Sequence, residues 1–160
     1  MADETKPAQP MLPKVRVINQ YIRDLSFENV AAQKNTAQDA KPEITVQVGI
    51  DAQKKTGDNY EVIQKVKIEA KAGGEAVFIL ELDFAGLFEV SNVPNEQLHP
   101  FLLVECPRLV FPYLRRIVGD ITRDGGYPPL NLDNIDYLNL YRQELARRQA
   151  IQEAKTATIS

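Results

Sequence analysis

The chain has 160 residues, 44% of them hydrophobic and 26% charged, with a formal net charge of −3. That length favours one domain with a real core, and the mild acidity argues against a general nucleic-acid binder, which would show a basic face. A single cysteine, Cys106, excludes an intramolecular disulfide and suits a reducing compartment.

Residues 1–13 carry Pro7, Pro10 and Pro13 among polar neighbours and read as a disordered arm without the apolar stretch of a signal peptide. From Lys14 the pattern alternates. Val15, Val17, Tyr21, Leu25 and Phe27 fall on one parity, and Arg16, Gln20, Asp24, Ser26 and Glu28 on the other. This is a long half-buried strand, with Ile18 and Ile22 breaking the alternation and so implying a bulge. Residues 29–42 have the composition of a loop. Ile44, Val46, Val48 and Ile50 predict a second strand, and Tyr60, Val62, Val66, Ile68 and Ala70 a third. Gly73-Gly74 is a tight hairpin signal. It leads to a fourth strand with Ala76, Phe78, Leu80, Leu82 and Phe84 on one face and Val77, Ile79, Glu81 and Asp83 on the other.

After Pro94 the period changes. Residues 97–105 read as a short helix interrupted by Pro100. Pro107 suits the first turn of the next helix, which carries Leu109, Val110, Tyr113, Leu114, Ile117, Val118 and Ile121 at helical spacing. Gly125-Gly126 ends it, and residues 127–131 form a Pro-containing loop. Ile135, Leu138, Tyr141 and Leu145 then define a final amphipathic helix, and residues 147–160 read as a flexible tail. Strands first and helices second predict an α+β fold: a four-stranded antiparallel sheet with helices on one face, spanning residues 14–146. The apolar stretches 76–80 and 101–104 are too short to cross a bilayer, so the expectation is a soluble cytoplasmic protein.

Little in the chain is built for catalysis. His99, the only histidine, is followed by Pro100, and nothing in sequence names a partner to orient it. A helix N-terminus would lower the pKa of Cys106, but a lone cysteine is more often a small buried hydrophobe. One His and one Cys do not make a four-ligand zinc site, and neither a Walker loop nor a GxGxxG occurs. The expectation is no enzyme, no metal and no cofactor.

Four segments, in order, carry a resemblance: Tyr21-Ile22-Arg23-Asp24-Leu25-Ser26-Phe27-Glu28-Asn29, Gly86-Leu87-Phe88, Cys106-Pro107-Arg108-Leu109-Val110-Phe111-Pro112-Tyr113, and Gly125-Gly126-Tyr127-Pro128-Pro129-Leu130-Asn131-Leu132. Together they closely resemble the SecB family of bacterial protein-export chaperones, over residues 14–146. The resemblance implies a dimer of dimers without enzymatic activity. It also implies a holdase that keeps preproteins unfolded and passes them to the translocase ATPase SecA. Such a protein needs apolar surface rather than hydrogen-bond readout. The candidates for client binding are Leu25, Phe27, Phe84, Leu87, Phe88, Phe111, Tyr113, Tyr127 and Leu130, with the loop after Gly125-Gly126 as a movable wall. By the same resemblance Asp24, Glu28, Ile79 and Glu81 belong to the SecA-docking face. Their shared outer parity on strands one and four would join them if those strands are neighbours.

Many members of the family extend the C-terminus into a flexible SecA contact. Here that end is short and locally basic, around Arg147 and Arg148. Two other readings stand beside the chaperone: a module for one dedicated partner on the same scaffold, as in toxin–antitoxin-associated SecB-like chaperones, and a small enzyme using His99 or Cys106.

Overall fold

The structure is a computed structural model that describes residues 11–36 and 41–157. Most of the expected N-terminal arm lies outside the described residues, as does the very end of the tail. Four long strands, β1 (Lys14–Glu28), β2 (Glu43–Lys54), β3 (Asn59–Ala72) and β4 (Glu75–Ser91), form one antiparallel sheet in the order β1-β4-β3-β2. Gly73 and Gly74 both take left-handed φ values, 59° and 80°, which a tight turn between β3 and β4 requires.

The expected loop at 29–42 instead contains a short helix, α1 (Val30–Lys34). The Asn29 side chain accepts from the Ala32 amide and caps its N-terminus. After β4 the chain is helical almost without pause: α2 (Asn95–Pro100), a π-helical segment (Phe101–Glu105) and α3 (Cys106–Asp124). Pro100 therefore does not stop the helix as expected. It closes α2, and the wider π turn carries the chain on into α3.

The last helix, α4 (Tyr137–Ala157), runs well past residue 146, where a flexible tail was expected. Its extension is held by local pairs. Glu144 meets Arg147 at 2.8 Å and Arg148 at 3.1 Å, the i,i+3 and i,i+4 spacings that stabilise exposed helices. Hydrogen bonding from Arg147 is the first cause holding the Glu144 carboxyl down to about 2.

The core lies between the sheet and the helices. Phe78, Leu80, Leu82, Phe84 and Phe88 of β4 and Val66 and Ile68 of β3 meet Val110, Phe111, Leu114 and Val118 of α3. Gln64 points into this core and is fully buried. Its amide donates to the Pro107 carbonyl at 3.0 Å and its oxygen accepts from the Tyr137 hydroxyl at 2.6 Å. One satisfied polar side chain thus ties β3 to the starts of α3 and α4, as a buried amide must be paired.

Irregularities in the sheet decide which residues face where. The β1–β4 register slips between Val17 and Asn19 and again between Ile22 and Asp24. The first bulge turns Tyr21 to the outer face, away from the helices, and brings Ile22 inward opposite Phe84. The second restores the original parity. Tyr21 therefore leaves the face assigned to it by strict alternation. A further slip beside Ala70 makes Val77 an extra residue of β4, and it is fully buried rather than on the outer face.

Candidate functional site

Two surfaces of the sheet stand out, one on each face. On the helical side a groove of about 680 Å³ opens between α1 and the loop that follows α3. Pro42, Ile44, Phe78, Tyr127, Pro129 and Leu130 contribute to its lining. Its aromatic side is continuous: the Phe27 ring lies 5.7 Å from Phe78, and Phe78 lies 4.9 Å from Tyr127. Gly125 allows a close approach, since a Cβ there would stand 2.7 Å from the Phe27 ring, which would have to shift.

The loop wall is pinned at both ends. The Leu130 amide donates to the Thr122 hydroxyl at 2.9 Å, and the Tyr127 amide to the Thr122 carbonyl at 3.1 Å. From across the groove Asn29 donates to the Gly125 carbonyl at 2.9 Å and accepts from the Tyr127 hydroxyl. Burial pushes the Tyr127 hydroxyl up from its ordinary pKa.

The residues expected to bind clients separate clearly. Tyr127 and Leu130 line the groove and Phe27 abuts it. Phe84, Phe88 and Phe111 are 3%, 0% and 5% exposed. They pack the sheet against α3 and offer no surface: alternation places Phe84 and Phe88 on the inner face where the helices cover it, and Phe111 is buried on α3 itself. Leu87 faces the other side of the sheet, opposite Asn19 and Glu61. Leu25 is exposed on β1, and Tyr113 is exposed on α3 next to Leu109.

Phe78, Ile44 and Asn29 belong to the groove although sequence reasoning assigned the first two to strands only and the third to a loop. The readable signal was Asn29 before Val30-Ala31-Ala32-Gln33-Lys34, a capping residue followed by helix formers.

On the outer face the register sets Glu28 opposite Ile79, Ser26 opposite Glu81 and Asp24 opposite Asp83. Asp24, Glu28, Ile79 and Glu81 therefore share one surface on neighbouring strands, with the acidic groups exposed and Ile79 half-buried. The patch is bordered by cations. Lys65 stands opposite Asp83 on β3, and the Lys67 ammonium lies 3.9 Å from Glu81. An exposed pair of this kind contributes at most about 1 kcal/mol.

Further along the same face the arrangement is closed. Tyr21 lies opposite Ala85, which lies opposite Ile63. The small Ala85 lets Tyr21 pass over β4, and its hydroxyl donates to Glu61 on β3. Arg23 and Lys55 each reach within 3.7 Å of the same carboxylate, whose side chain is only 7% exposed. Burial first, and then the bond to Glu61, pushes the Tyr21 hydroxyl up to about 12.

The two residues considered for catalysis are poorly placed for it. Cys106 is fully buried, and burial followed by the nearby Glu105 charge pushes its thiol up to about 12, which leaves it neutral and unreactive. His99 is exposed, with Nδ1 3.4 Å from the Tyr141 hydroxyl and no carboxylate partner among the described contacts. Among the described residues no helix is long and apolar enough to cross a membrane.

Comparison with known proteins agrees with these features. The family described as SecB, preprotein translocase subunit SecB, matches residues 8–148. The chain is 59% identical over 150 residues to the protein-export protein SecB of Roseobacter denitrificans, covering 92% of this chain and 90% of that one. It is 56% identical over 156 residues to that of Ruegeria pomeroyi, covering 96% and 94%.

Among solved structures, the Mycobacterium tuberculosis SecB-like chaperone in complex with a ChAD peptide from the HigA1 antitoxin superposes with a TM-score of 0.64 at 16% identity. That match covers 76% of this chain and 90% of the other, and shows a shared fold. With its sheet, helices and sequence all matched over most of its length, the chain belongs to the SecB family of protein-export chaperones.

Proposed function

We propose that this preprotein chaperone is a holdase that binds unfolded chains in the groove beside Phe78 and delivers them to SecA through the outer face at Asp24, Glu28, Ile79 and Glu81. The observation that carries the reading is the lining of the groove, mostly aromatic and aliphatic side chains with prolines, beside the polar Asn35, Thr36 and Lys41. Such a surface reads no particular sequence by hydrogen bonds. It takes any extended segment with apolar side chains, which is the common property of unfolded proteins. Val46, two residues beyond Ile44 on the same face of edge strand β2, is 43% exposed and extends the apolar track.

A single groove of this size holds a client weakly, so useful affinity comes from several grooves acting on one chain. Assembly as a dimer of dimers supplies them. Between Val15 and Phe27 the inner face of β1 is left open by the helices, and Val17, Ile22 and Leu25 form an exposed apolar stripe there beside the bulged Ile18. Leu109 and Tyr113 form a second on α3. Both are outlets for subunit contact.

The test presents one secretory precursor, unfolded and folded, to the full chain, with mass read by light scattering in the same run. A tetramer that binds only the unfolded form supports the holdase. An intact oligomer that ignores unfolded chains would mean that the scaffold serves one dedicated partner, the reading that the antitoxin-peptide complex of the M. tuberculosis protein illustrates.

A further inference from the structure

The wall of the groove has an anchor that its own helix does not provide. Thr122 ties the loop back to α3, but nothing in that contact fixes the distance to the opposite bank. Asn29 does. It stands at the junction of β1 and α1, and its side chain makes bonds in both directions. Nδ2 donates to the Gly125 carbonyl at 2.9 Å, and Oδ1 accepts from the Tyr127 hydroxyl. The same oxygen accepts from the Ala32 amide at 3.3 Å, which caps α1. Both lone pairs of the amide oxygen are then in use.

Tyr127 meanwhile lays its ring on Phe78, 4.9 Å away. One tyrosine therefore serves as groove lining through its ring and as a fastening through its hydroxyl. Among the described hydrogen bonds, the one that Asn29 donates to Gly125 and the one it accepts from Tyr127 tie the wall to the opposite bank.

We propose that Asn29 is a positioning residue, a latch that sets the width of the groove by tying the Gly125–Leu130 wall to the end of β1. Releasing it lets a bound chain leave sooner. The structural part of this stands on the contacts alone, and the consequence for clients rests on the holdase reading above. The latch suits its task because it is neutral. A neutral hydrogen bond contributes modestly once exchange with water is counted, so the wall opens often enough to admit a chain yet stays closed on average. An ionic tie in the same half-buried place would be harder to release.

Two variants break the latch without emptying the groove. Asn29→Asp keeps an acceptor for Tyr127 and for the α1 cap, but loses the donor and turns a carboxylate against the Gly125 carbonyl, a repulsion that the charge-assisted bond from Tyr127 does not offset. Tyr127→Phe keeps the ring on Phe78 and removes the hydroxyl. Each is measured in the full chain by amide exchange without client, and by the release rate of a fluorescently labelled unfolded precursor.

The expected result is exchange about fivefold faster at the Tyr127 and Leu130 amides, the worth of about one net hydrogen bond. Exchange in β3, which reports global opening, rises by no more than the same factor, because the unfolded state lacks the latch too. Precursor release is expected to accelerate by a similar factor. A residue that merely supported the fold would speed exchange in β3 without speeding the local opening of the wall, and that outcome overturns the proposal. So does unchanged exchange at the wall in both variants. Faster wall exchange with unaltered release overturns the link to client retention. Should Asn29→Asp fail to fold, Tyr127→Phe decides alone. Should the natural chain bind no precursor, the holdase reading fails while the exchange data still decide the latch.

Discussion

The outer face of the sheet is closed at its Tyr21 end and open at its Glu28 end, although the same strands supply both. At the closed end Glu61 sits 7% exposed beneath Tyr21, Arg23 and Lys55. A carboxylate so far from water is tolerated only when it is fully paired. At the open end Glu28, Glu81 and Asp24 remain hydrated, and their pairing with cations is loose.

The difference turns on one small residue. Ala85 leaves room for a side chain of β1 to cross β4, whereas Ile79 and Glu81 fill the corresponding places further along. The closed end thereby fixes β1. Arg23 is the extra residue of the second bulge, and Glu61 holds its guanidinium. That bulge is what turns Asp24, Ser26 and Glu28 outward and Leu25 and Phe27 inward. One end of the face sets the register that the other end displays.

Breaking the closed end should have the largest effect. Glu61→Ala leaves Tyr21 and Arg23 without their partner in a half-buried place. The expected loss is about 3 kcal/mol, read as a lower urea midpoint. Tyr21→Phe removes one hydrogen bond and keeps the ring, for a loss of about 1 kcal/mol.

Alkaline titration offers the same contrast without mutation. The Tyr21 hydroxyl ordinarily ionises near 10 and is raised to about 12, so the folded protein holds this proton more tightly than the unfolded chain. Its contribution is complete below about pH 10 and is lost as the pH climbs through about 12. Stability of the natural chain should therefore fall more steeply over that window than that of Tyr21→Phe. Curves that run parallel would mean that the hydroxyl contributes nothing to the closed end.

The same contrast shows what the sequence discloses. The alternation of β4 and the spacing of α3 are long and regular, so the sheet, the helices after it and their order were legible from period, while the short α1 was not. The acidic face was legible too, because Asp24 and Glu28 lie beyond the second bulge, where parity is restored. Tyr21 lies between the two bulges, and no period-2 reading places it correctly. Glu61 pairs with residues of β1 that are distant in sequence and separated from β3 by a whole strand, so its burial has no local signal.

Aromatic content pointed to the groove but did not distinguish lining from core. Phe78 and Phe84 share one face of β4, and only the placement of α1 and α3 leaves the first beside a groove and covers the second. The continuation of α4 was hidden because its second half carries no apolar stripe. Ion pairs from Glu144 support the middle of the helix, where that half begins.

At the open end the expected effect on stability is the smallest and the effect on function is the one that matters. Glu81→Lys replaces an exposed carboxylate and sets a second cation beside Lys67. Exposed substitutions of this kind change stability by no more than about 0.5 kcal/mol, so the unfolding curve should hardly move. Affinity for SecA should fall several-fold at low salt, since charge at such a rim steers encounter and fixes orientation. The deficit should shrink as salt rises toward 1 M, where screening acts over about 3 Å. Lys67→Glu, which frees Glu81 and adds to the acidic patch, should move affinity in the opposite direction under the same conditions. If both variants bind SecA like the natural chain at low salt, the open end is an ordinary hydrated sheet face. The register held by Glu61 would then serve the groove side of β1 alone.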